Sequence, residues 1–98
     1  MKNYHYIASV LKSYFDSRNG FTNEEQEASF ARQLTQPDYR RALLLELESA
    51  LVDPDVSWVR WFTDYFVEND FEGEADARAL AKELLYDPAV EIELKSNP

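Results

Sequence analysis

The sequence predicts an all-α single domain, 1–98, folded as a compact bundle of about five helices. Three observations predict it. Apolar residues recur at helical spacing along most of the chain, glycine occurs only at Gly20 and Gly73, and three of the four prolines sit in a recurring phrase between the periodic segments. The phrase reads "LTQPDY" (34–39), "LVDPDV" (51–56) and "LYDPAV" (85–90). Proline in a first helical turn loses no needed N–H, an Asp before it can cap that turn, and the residue preceding proline resists helical dihedrals. Each phrase therefore predicts one helix ending and another beginning, with Asp53-Pro54 and Asp87-Pro88 the best fits. The intervals between the phrases carry no other self-similarity, so a solenoid repeat is not expected.

Taken in order, Ile7, Val10, Leu11, Tyr14 and Phe15 form one stripe of a first helix ending near Asp16, after which "SRNGF" breaks the pattern. Thr22 and Glu25 form a capping-box pair opening a second helix to about Leu34, with Phe21 as a staple and Ala28, Ala31, Leu34 and Phe30 as a thin inner face. The third helix, Pro37 to about Leu51, lines Arg40, Leu43, Leu44, Leu47, Ala50 and Leu51 along one side and belongs at the centre of the bundle. A fourth is expected from Pro54 to about Val67, and a fifth from about Glu74 to Tyr86 with Ala77, Leu80, Ala81, Leu84 and Leu85 inward. The segment "AVEIELKSNP" alternates apolar and acidic residues but has no strong partner strand, which favours a short last helix or an extended tail.

Composition narrows the function. Ninety-eight residues bury one core, and nineteen Asp and Glu against ten Lys and Arg leave a net charge of −9. Such a surface repels nucleic acid and anionic lipid and attracts basic proteins, so direct nucleic-acid or membrane binding is not expected. There is no cysteine and a single histidine, His5, which excludes a disulfide framework, a thiolate metal site and clustered imidazole ligands. "MKNYHYIASVLKSYF" contains no apolar signal core and no uncharged run approaches the ~20 residues of a membrane span, so the expected location is the cytoplasm.

Catalytic chemistry has little material. One histidine near a chain end is a poor triad member, isolated glycines build no phosphate loop, and chance pairs among nineteen acids carry no acid–base signal. "ENDFEG" places Glu68, Asp70, Glu72 and Gly73 as the opening of a calcium loop, but the twelfth position is Ala79 where a bidentate Glu is required. No cofactor, metal or enzymatic activity is expected.

"WVRWFTDYF" (58–66) is the remaining oddity, with five aromatics in nine residues followed by Asp64, Glu68, Asp70, Glu72, Glu74 and Asp76 before the next cation. Val59, Phe62 and Phe66 are expected in the core, while Trp58, Trp61 and Tyr65, which carry polar handles, suit a half-wet partner surface. Glu74 and Asp76 suit a helix N-terminus; Asp64 and Glu68 oppose a helix dipole at a cost of a few tenths of a kcal/mol, which selection for a basic partner would outweigh.

The succession "LKSYFD" (11–16), an acidic capped helix, "QPDYRRALLLELESAL" (36–51), "WVRWFTDYF" and a last acidic helix resembles the small acidic immunity proteins of bacterial contact-dependent growth inhibition systems. The resemblance implies a cytoplasmic, non-catalytic inhibitor that binds a cognate toxin's C-terminal domain, often a nuclease, and occludes its active or substrate-binding surface. Asp64, Glu68, Asp70 and Glu72 are then expected to meet the toxin's Lys and Arg, with Tyr65 and Phe71 packing at the rim. The alternative is a structural or regulatory helical module acting as a homodimer or larger homo-oligomer through Trp58 and Trp61.

Overall fold

A computed structural model describes residues 4–67 and 71–96. α1 (His5–Val10) runs on through a π-helical turn, Leu11–Phe15, and buries Ile7, Val10, Leu11 and Phe15 as its spacing predicts. Its first turn receives no cap from Tyr4. Instead Glu46, from the middle of α3 (Pro37–Ala50), accepts the N–H groups of Tyr6 (3.0 and 3.1 Å) and Ile7 (3.1 Å). A carboxylate from another helix thus satisfies donors that the helix start leaves open.

Asp16 turns extended and ends the rod, and a short 3₁₀ turn, Ser17–Asn19, closes on Gly20 at φ +82, a dihedral that glycine adopts without Cβ strain. α2 (Asn23–Gln33) opens with the expected capping box: the Glu25 N–H donates to Thr22 Oγ1 (3.1 Å) and the Thr22 N–H to Glu25 Oε1 (3.0 Å). Its inner face differs from the expected one. Gln26 and Phe30, followed by Leu34, are buried, whereas Ala28 and Ala31 face solvent and Phe21 is 41% exposed and staples nothing into the core. The Phe30 ring meets Phe15 edge to face at 5.3 Å, and burying that large ring outweighs burying two methyl groups, so it sets the rotation of the helix.

In α3, Pro37 occupies the first turn, and Arg40, Leu43, Leu44, Leu47 and Ala50 are buried as predicted. Arg40 is 1% exposed; its guanidinium donates to the Leu34 carbonyl (3.0 Å) and to both Glu93 carboxylate oxygens (3.3 and 3.2 Å). An apolar face can hold an arginine only with this kind of pairing.

The second proline phrase starts a turn, not a helix. Asp53 Oδ1 accepts the Asp55 N–H at 2.9 Å, an Asx turn, and α4 (Trp58–Asp64) begins beyond it. The start falls at Ser57 because two acceptors converge there: Ser57 Oγ takes the Arg60 N–H (3.1 Å), and Glu74 takes both the Ser57 hydroxyl and the Trp58 N–H (3.0 Å). α4 also stops early. Phe66 adopts φ +55, the Val67 N–H turns back to the Phe62 carbonyl (2.9 Å), and Asp16 and Val67 form an isolated antiparallel bridge.

α5 (Glu74–Ala81), a π-helical turn (Lys82–Tyr86) and α6 (Asp87–Ser96) follow as one unbroken helical run. The expected break at Asp87-Pro88 is absent. Proline in a helix interior removes one N–H donor and crowds the carbonyl four residues back; here the ladder has already shifted, with the Asp87 N–H bonded to the Lys82 carbonyl five residues back. The widened turn admits Pro88, and the alternating C-terminal segment is helix through Ser96.

Counting each continuous run once, the described residues form five helical rods and no strand beyond the isolated bridge. α1 packs on α3, α2 on the first π turn, α4 on α5 and α3 on α6 around one continuous core. None of the described helices is long and apolar enough to cross a membrane.

Candidate partner-binding surface

The aromatic helix α4 presents a different face from the expected one. Trp58 is fully buried, touching Trp61 edge to face at 4.9 Å and Phe62 at 5.8 Å. Phe66, expected in the core, is 51% exposed. The reason is the end of α4: the left-handed residue at 66 breaks the helical register that would have carried its ring inward beside Phe62. Burial of Trp58 removes half of the Trp58/Trp61 surface on which the homo-oligomer alternative rests.

The exposed Phe66 ring is covered on one side by Arg18, whose guanidinium carbon lies 4.1 Å from the ring centroid. Arg18 is oriented by Asp16, which accepts from Arg18 Nε (2.9 Å), Nη2 (2.6 Å) and the backbone N–H (2.9 Å). These bonds from Arg18 hold the Asp16 carboxyl below its ordinary pKa and push the Arg18 guanidinium above its own. The Ser17 N–H to Phe66 carbonyl bond (3.1 Å) ties the two segments together.

Of the residues expected to meet a partner, Asp64 is exposed and only loosely held by Arg60 at 3.8 Å, and Glu72 is exposed. Tyr65 and Phe71 are half-buried against the core, Phe71 packing on Phe62 at 5.8 Å, so each offers part of a ring. Glu68 and Asp70, and with them the start of the calcium-loop pattern, lie outside the described residues. Among the described residues no group of three or more His, Asp or Glu side chains is placed to hold a metal ion. Glu74 and Asp76, at the end of the acidic series, have structural partners: Glu74 caps α4, and Asp76 accepts the Glu72 N–H at 2.9 Å.

A cleft that the sequence did not advertise adjoins Asp64. It is an open groove of about 840 Å³ between the end of α3, the 51–57 connection and α4. One wall is aromatic, where Tyr4 and Trp61 meet edge to face at 5.6 Å. Among the described residues its lining includes the carboxylates of Asp53, Asp55 and Asp64 and the guanidinium of Arg60. The Tyr4 hydroxyl donates to Asp53 Oδ2 (2.9 Å) and is hydrogen-bonded to Ser49 Oγ (3.3 Å); burial first, and then the Asp53 carboxylate, raises the Tyr4 pKa, so this hydroxyl stays a donor. The only sequence signal for the cleft was the Asp53-Pro54-Asp55 phrase, which as an Asx turn delays α4 and leaves the connection open.

Only part of the acids is spent on internal ion pairs. Arg18, Arg40, Arg41, Arg60, Lys82 and Lys95 each pair with a carboxylate, while Glu24, Glu27, Glu48, Asp55, Glu72 and Glu83 are exposed and form no ion pair among the described residues. The chain matches no family model, no curated protein and no solved structure.

Proposed function

We propose that this chain is an immunity protein, which binds a basic cognate toxin domain, a nuclease being the leading class, and neutralises it by occluding its active or substrate-binding surface. The observation that carries the reading is the surplus of exposed carboxylates left after most of the arginines and lysines are paired, on a domain of net charge −9. Enzymes that act on polyanions carry basic clefts, and an acidic partner gains fast, steered association with them. Half-exposed aromatics beside the acids, Trp61, Tyr65 and Phe66, supply the apolar contact that charge alone does not. In the resting cell the protein acts in the cytoplasm, where an incoming toxin finds its target.

The test is a pull-down with the purified chain as bait and the protein encoded immediately upstream as prey, at low and moderate salt. Capture of a basic C-terminal domain, weakened by raising salt and by Asp64→Lys with Glu72→Lys, is the expected result. Failure to retain that domain at either salt overturns the reading.

A further inference from the structure

We draw no further inference here: the strongest candidate, the small cavity of about 80 Å³ where Phe15 and Leu84, one from each π-helical turn, meet the first turn of α2, is sized for a few water molecules, and nothing in the structure shows what else would fill it.

Discussion

The Glu74 carboxylate, at the start of α5, accepts the backbone N–H of Trp58, at the start of α4, at 3.0 Å. One acid of the acidic series is therefore a structural cap, and it joins the first turns of two helices that pack together. Glu74→Ala is expected to cost about 0.5 to 2 kcal/mol, the usual range for a lost cap, with the loss visible as a lower urea midpoint. Glu72→Ala, on an exposed residue whose side chain caps no helix among the described residues, is expected to stay within about 0.5 kcal/mol of the parent. Equal losses in the two variants would contradict the assignment.

Phe66 is held at φ +55 beneath Arg18. A non-glycine residue in the left-handed region costs roughly 1 kcal/mol, and the exposed cation–π contact returns about 0.5 to 1 kcal/mol. These nearly cancel. Phe66→Gly is expected to unfold within about 1 kcal/mol of the parent, because strain relief offsets the lost contact. Phe66→Val, a β-branched residue forced into the same dihedral, is expected to be the less stable of the two by at least about 1 kcal/mol in chemical denaturation.

The pH dependence follows from three carboxylates whose pKa values are lowered on folding. Hydrogen bonds from Arg18 lower Asp16, hydrogen bonds from Arg40 and then Arg41 lower Glu93, and the Thr22 backbone N–H lowers Glu25. Because each folded value lies below the unfolded one, the unfolded chain binds more protons in acid, and stability falls as pH drops. The contribution is complete above the unfolded carboxylate values near about pH 4 to 4.5 and is lost as pH falls through the lower folded values. Thermal melts from pH 7 down to 2 are expected to show this loss, and Asp16→Asn is expected to flatten it.

Arg40 and Glu93 form an asymmetric pair. Arg40 is 2% exposed at its side chain, while Glu93 is 19% exposed and also meets Arg41 at 3.3 Å. Removing the acid leaves a buried guanidinium with the Leu34 carbonyl as its remaining partner among the described residues, whereas removing Arg40 leaves a carboxylate with a second cation and some water. Glu93→Ala is therefore expected to lower the denaturation midpoint more than Arg40→Met. The reverse order would mean that the packing of the arginine stem outweighs its charge.

The all-α architecture was legible because Ile7, Val10 and Leu11, or Leu43, Leu44 and Leu47, repeat at a helical period that no other element shares. The Thr22–Glu25 cap was legible because both partners lie within one turn. What escaped were the effects of groups distant in sequence. Glu74 and Ser57 together decide where α4 begins, and the exchange between segments 16–17 and 66–67 decides where it ends, which turned Phe66 outward. Pro88 was read as a stop because the π turn that accommodates it carries no residue signature of its own. At the candidate surface, Asp64 and Glu72 were legible as exposed acids, but Tyr4 is brought to Trp61 by tertiary packing across more than half the chain.

The most direct measurement of the central claim is survival of cells in which the protein encoded immediately upstream, the toxin of the proposal, is induced, with this chain co-expressed or absent. The account predicts growth with the parent chain, death without it, and reduced protection by Asp64→Lys/Glu72→Lys at equal protein level. Death at the same rate whether or not the parent chain is present would contradict it.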